Sequence, residues 1–421
     1  MLNTRNVANI EYTVLRTLGL LLPCLFGASA VLAQPAAAPA VERTVLLETI
    51  SGVAAPIALH VSLQPEHAAQ MDRVVEAAQE ALTLYSEWIS PYAGRELTIV
   101  DQPWNSSDGG SAEAGRVTLH TRWLVPAEVL EPEADVVHGI GSQWWGGAIK
   151  VRGAEGFDLA EGLNRYLQGR VLERIFDRRY QVPASSAFDE HYFGRFIPWR
   201  FRGIRLAREA TERDTRIALA FHTLERYLGW PALQQALSVT ARRFNGSVMT
   251  RADFFGSVND ATGRDLTWFF DPAFNPARVF DYSVGALSSV PASGPECGGK
   301  TCYETTVEVR RNGDALFTGT GRVPVGEYAS GRALPILVTF SDGQRLTDRW
   351  DGRAPSKTFA YYSATPALSA AVDPERVLLL DANDTNNSYT LQPAAGLAAS
   401  KWALTWMVWL QDLLLTYAFL V

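Results

Sequence analysis

Positive charge in excess is missing from this 421-residue chain: Lys and Arg number 38 against 45 Asp and Glu, a formal net charge of -7. That balance leaves no electrostatic footprint for nucleic acid and supports no basic membrane-surface patch. Cysteine is also scarce, with 3 residues in all. Cys24 follows Pro23 in an apolar N-terminal segment, a poor context for lipid attachment. Cys297 and Cys302 lie in Pro-Glu-Cys-Gly-Gly-Lys-Thr-Cys-Tyr with no further metal ligands nearby. A zinc knuckle needs four ligands, so the pair predicts a disulfide clamping a small loop in an exported protein. No internal repeat is present. What the chain does have is length and a hydrophobic content of 47%, enough for at least one large core and better suited to two domains than one.

Both ends are apolar. Arg5 and Arg16 precede a hydrophobic run over 17–32 and small residues around Ala33, the arrangement of a secretory signal peptide over 1–33. An uncleaved anchor is the alternative, although the run is short of the about 20 residues that span a bilayer. At the other end, the 20 residues after Lys401 carry tryptophans toward one side, as an interfacial aromatic belt does, and predict a transmembrane or membrane-associated helix over 400–421. Asp412 interrupts it. An ionisable group near mid-bilayer costs at least about 2.5 kcal/mol, so Asp412 is expected to face a partner helix or a protein surface. A buried amphipathic helix packed on the soluble part is the competing reading.

Between these ends, an Ala/Pro-rich linker and a short β segment fill 34–65. Apolar residues at Met71, Val74, Val75, Ala78, Leu82 and Tyr85 recur at helical spacing and predict an amphipathic helix from Glu66 to Trp88. Strands are expected at Glu96 to Asp101 and from Arg116, and a long helical region runs from His138 to about Phe270, including Arg216 to Leu228 and Trp230 to Phe244. Near residue 283 the pattern changes to alternation. Tyr303 to Arg310, Leu334 to Phe340 and Thr358 to Tyr362 read as strands of a small β-sandwich over 284–393.

The chemistry-bearing segment is Val137-His138-Gly139-Ile140-Gly141-Ser142-Gln143-Trp144-Trp145-Gly146. In an H-E-x-x-H helix two histidines four residues apart hold zinc and the glutamate between them is the general base. Here His138 matches the first histidine, Gly139 stands at the glutamate and Ser142 at the second histidine. Eighteen residues separate Ser142 from Glu161, which lies in Asp158-Leu159-Ala160-Glu161-Gly162-Leu163-Asn164-Arg165-Tyr166. This arrangement resembles the M1 aminopeptidases, gluzincins whose H-E-x-x-H is followed at that interval by a glutamate ligand in N-E-G-F-A-x-Y, and whose second histidine begins H-Q-W-W-G. Asp101-Gln102-Pro103 with Gly110 to Gly115 is similar to that family's substrate-edge motif, and Thr250 to Phe254 with Gly263 to Phe270 is similar to the end of its catalytic region. The resemblance covers about residues 66 to 285.

It implies an α+β fold, with a thermolysin-like, mostly helical M1 catalytic-type domain over 66–283, then the β-sandwich-like domain and the C-terminal apolar helix. It also implies that His138 and Glu161 are remnant metal ligands, that Glu113 matches the residue that binds a peptide amino terminus, and that zinc is the metal if any is retained. The departures weigh against activity. Gly139 supplies no base, a contribution typically of about 10² to 10⁴ in rate. Ser142 is a poor zinc ligand beside imidazole. Asp214 aligns with the family's transition-state tyrosine, where a carboxylate opposes an oxyanion. With only about thirty residues between the signal region and the helix at Glu66, the large N-terminal β-domain usual in the family is not expected, and any cleft is expected to be more open.

Each residue has a plainer role as well. The plainer role is favoured for His138, as a packed or hydrogen-bonded histidine, and for Glu161, as the i,i+4 partner of Arg165; Glu113 reads equally as a solvated loop residue, and Trp144 and Trp145 read as core. A shuffled metal site with Asp135, one turn before His138, is a further option; His120, His191 and His222 have no ligand spacing to it. The expectation is an exported, membrane-associated protein, on the periplasmic side of the inner membrane if bacterial. Its catalytic site is degenerate, no cofactor is expected, and it binds a peptide or protein partner. An active aminopeptidase with a rearranged site, and a structural subunit of a membrane complex held through Asp412, are the alternatives.

Overall fold

The computed structural model describes residues 39–103, 112–119, 131–180, 213–318 and 334–393, apart from 49, 51, 54, 299 and 300, together with a few positions between 396 and 410. The signal segment over 1–33, most of the C-terminal segment with Asp412, and the residues His120 and His191 lie outside this set. No helix among the described residues is long and apolar enough to cross a membrane.

The described chain is a mixed α+β structure. It begins with strands β1 (Val41–Leu47) and β2 (Ile57–Leu63), helix α1 (Met71–Trp88), and strands β3 (Glu96–Asp101), β4 (Ala112–Glu113) and β5 (Arg116–Leu119). Helix α2 (Glu131–Gly141), β6 (Lys150–Val151), α3 (Ala154–Tyr180), α4 (Arg213–Leu228), α5 (Trp230–Arg243), β7 (Val248–Met249), α6 (Arg251–Thr262) and α7 (Thr267–Ala273) follow. The last part is all strand: β8 (Tyr282–Ala292), β9 (Cys302–Arg311), β10 (Leu334–Phe340), β11 (Arg345–Trp350), β12 (Ser356–Ser363), β13 (Ala367–Val372) and β14 (Ser388–Thr390).

Strands β1-β2-β3-β5-β4 form one sheet in that order. The segment read as linker and short β therefore holds an antiparallel hairpin of this sheet, β1 on β2. Strands β2, β3 and β5 run parallel, and a parallel pair needs a crossover, which α1 supplies between β2 and β3. Strict alternation in β2 buries Ile57, Leu59, Val61 and Leu63 on the face that α1 covers with Val74, Ala78, Leu82 and Tyr85. Helix α6 opens with a capping box in which Thr250 and Asp253 satisfy each other's backbone amides, and it ends at Gly263 in the left-handed region.

The β-rich part has a four-stranded sheet, β11-β10-β13-β14, and a three-stranded sheet, β12-β9-β8. Strand β8 packs against β13 and β14, which gives the two sheets a sandwich-like arrangement. Alternation in β10 turns Leu334, Ile336, Val338 and Phe340 inward, and Trp350 and Tyr282 meet edge to face at 5.6 Å. Cys297 and Cys302 are joined as a disulfide between β8 and β9. Helices and strands share one core where Tyr227 and Trp268 pack against Phe317.

Candidate functional site

Helix α2 carries His138 near its C-terminal end and packs on β5 and α3. The contact with β5 is possible because residue 139 has no side chain: a Cβ there would lie 2.3 Å from Cγ1 of Val117. Gly141 is as tightly enclosed, by the side chains of Asn164 and Tyr85. Glycine is required at both positions by close approach, not by backbone conformation. The position that the zinc-peptidase pattern assigns to a general base is filled by a strand valine.

His138 and Glu161 do come together. Nε2 of His138 lies 3.1 Å from Oε1 of Glu161, and Nε of Arg165 lies 3.6 Å from the same oxygen. Glu161 thus meets the remnant ligand and its i,i+4 arginine at once. Burial pushes its carboxyl pKa upward, but the hydrogen bond from His138 and the charge of Arg165 prevail and the net shift is downward. The group is partly open to solvent, with side-chain exposures of 31% for His138, 25% for Glu161 and 45% for Arg165.

Whether zinc fits this set is decided at its third corner. Two ligands at about 2 Å on a tetrahedral ion lie about 3.3 Å apart, so His138 and Glu161 alone are compatible with one metal. Ser142 is not. Its hydroxyl donates to the carbonyl of His138 at 3.1 Å and accepts from Nδ2 of Asn164 at 2.7 Å, while the same Nδ2 reaches the His138 carbonyl at 2.9 Å. Asn164 stands where the resemblance would place the alanine of N-E-G-F-A. Among the described residues no three of His, Cys, Asp and Glu form a group able to hold a metal, so Asp135 does not complete the pair. The residues present do not fit zinc.

Gln143 links α2 to the hairpin bearing Glu113. Its Nε2 donates to the carbonyl of Glu113 at 2.9 Å, and its Oε1 accepts from the amide of Gly115 at 2.8 Å. Glu113 itself is exposed on β4, opposite Arg116. Trp144 and Trp145 are core residues: Trp144 stacks on Tyr85 at 5.3 Å and donates to the carbonyl of Ser90, and Trp145 meets Phe254 edge on. Asp214 falls in the first turn of α4, with its side chain outside the described set.

One constellation is invisible to motif reading. At the carboxyl ends of β2 and β3, Nδ1 of His67 lies 2.5 Å from Oδ2 of Asp101, and both side chains are fully buried. Asp101 also accepts from the amide of Gln64, while Nε2 of His67 has no hydrogen-bond partner among the described residues. Beside them Arg73 pairs with Glu133 of α2 through two hydrogen bonds of 2.7 and 2.8 Å. Parallel strands present their carboxyl ends to this cluster, the usual place for polar groups in such sheets. A signal was available in the buried, inward phase of Asp101 within Glu96–Asp101, where alternation calls for an apolar residue.

No family model matches the sequence, and no curated protein matches it. Among solved structures, the chain is similar to the crystal structure of Legionella pneumophila aminopeptidase A in complex with aspartic acid, with a TM-score of 0.51 and 16% identity. The match covers 79% of this chain but 37% of that one, so the chain spans little more than a third of that protein's length. At such identity the likeness concerns fold alone. The chain shares a fold with part of that aminopeptidase over 79% of its own length.

Proposed function

We propose that this is a membrane-associated, M1 aminopeptidase-like protein with a degenerate zinc site, which does not hydrolyse peptides and acts by binding a peptide or protein. The observation that carries the reading is the contact of Gly139 with Val117, which fills the place of the general base. The engagement of Ser142 by Asn164 supports it from the metal side. The partly exposed His138, Glu161 and Arg165, and the exposed Glu113 on a hairpin held by Gln143, offer charged groups of both signs suited to peptide termini and backbone. Membrane association rests on the apolar sequence over 402–421, after Lys401.

The test is metal content of the purified full chain together with peptide hydrolysis in the presence and absence of a chelator. The expected result is zinc far below one ion per chain and no release of N-terminal residues. Near-stoichiometric zinc that disappears in His138→Ala or Glu161→Ala would overturn the inactive reading.

A further inference from the structure

Strand β1 is an edge of the main sheet, paired with β2 and with no other described strand. Its outer row of backbone amides and carbonyls is therefore unpaired within the sheet, the arrangement that accepts an added strand. Edges are usually protected by proline, lysine, a bulge or a cover. Here the sequence Val-Glu-Arg-Thr-Val-Leu-Leu has neither proline nor lysine, and its register from Val41 to Leu47 is unbroken. Five of the seven residues are exposed, Leu46 by 58%. Because Val41, Arg43, Val45 and Leu47 pair with the buried Leu63, Val61, Leu59 and Ile57, they lie on the face that α1 covers.

Alongside this edge runs one stripe of α1, in which Asp72, Glu76, Gln79 and Thr83 follow at i, i+4, i+7 and i+11. Asp72 holds the Arg43 guanidinium at 2.5 Å. Farther along, Gln79 and Thr83 join Leu46, Leu47, Glu48 and Ile50 around a hollow of about 400 Å³. Glu48 is the one charged residue of that lining, and it is exposed. Over the whole strip the carboxylates of Glu42, Glu48, Asp72 and Glu76 stand against Arg43, since Arg73 is turned to Glu133. We propose that this edge takes a peptide segment as an added strand, with a lysine or arginine of that segment seated in the hollow. The apolar walls suit the aliphatic stem, and Glu48, Gln79 and Thr83 suit the cationic head. A second copy of the chain fits less well, because pairing β1 with itself sets two acidic edges against each other. The surface lies at the opposite edge of the sheet from β4 and Glu113, so it is independent of the site at His138.

The probe is an end-capped nine-residue peptide of alternating threonine and valine with arginine at its centre, titrated calorimetrically into the full chain. The control carries glutamate in place of the arginine. The arginine peptide is expected to bind at least about fivefold tighter than the control, and Glu48→Gln, a change at an exposed side chain, to remove most of that difference. N-methylation at alternate peptide residues separates strand addition from other modes. One set is expected to abolish binding and the other to be tolerated, because a strand added at an edge uses every second amide. Saturation is expected to slow amide exchange at alternate residues of β1 and to leave β4 unchanged. Equal binding of the two peptides, equal sensitivity to both N-methyl sets, or protection at β4 in place of β1 would overturn the proposal, the last while leaving the reading of the His138 site intact. So would self-association of the chain alone that protects β1, which would assign the edge to a second copy.

Discussion

The two ends of α2 handle polar groups in opposite ways. At its start, Glu133 is locked to Arg73 beside the His67–Asp101 pair, in a cluster that is almost wholly buried. At its end, His138 faces Glu161 and Arg165 in a group still partly open to water. Charges removed from water must be paired or their desolvation is uncompensated, whereas exposed pairs are screened and individually weak. The buried end is thus expected to support the fold, and changes at the open end to cost little stability.

The largest expected effect tests whether the open end has room for a peptidase base. Gly139→Glu should destabilise by about 4 kcal/mol in chemical denaturation, since it overpacks Val117 and carries a carboxylate into an apolar contact. Combining it with Val117→Ala should recover part of that loss. A neutral Gly139→Glu would mean that the helix and strand separate easily and that the site is open after all.

At the buried end, Asp101→Ala should cost about 3 kcal/mol, because His67 and the amide of Gln64 lose their shared acceptor. If its denaturation midpoint instead equals that of His138→Ala, the contrast between the two ends is wrong. A smaller change is expected for Ser142→Ala, about 1 kcal/mol, as Asn164 keeps its bond to the His138 carbonyl.

The smallest effect is one of pH. Glu161 has a lowered pKa, so its contribution is present above the unfolded carboxylate value and is lost as pH falls through the folded one. Wild type should lose stability relative to Glu161→Gln on acidification below that range and not on the alkaline side. Equal acid sensitivity of the two proteins, read from paired melts, would show that the His138 and Arg165 contacts do not hold in solution.

Much of the fold was legible because burial leaves a period in the chain. The spacing from Met71 to Tyr85 marks α1, and strands β3 and β10 fall where alternation puts them. Strand β11 was missed because Arg-Leu-Thr-Asp-Arg-Trp is mostly exposed and shows no apolar alternation, and β13 because Ala-Leu-Ser-Ala-Ala-Val packs through small residues. The membership of β1 and β2 in the main sheet depends on pairing with β3, which local pattern does not encode. The site divides along the same line. The interval from His138 to Glu161 is visible in sequence, but Val117 against Gly139 and Asn164 against Ser142 are long-range contacts that appear only once strand and helices are packed.

The disulfide at the β8–β9 turn has a consequence of a different kind. Cys302 is already held opposite Ala292 by the strand ladder, and a loop of this length limits the cross-link to at most about 2 kcal/mol of chain entropy. The bond is therefore less a support than a chemical record: chains that mature in an oxidising compartment should be lighter by two hydrogens than those kept reduced, and both should show the same β8–β9 register.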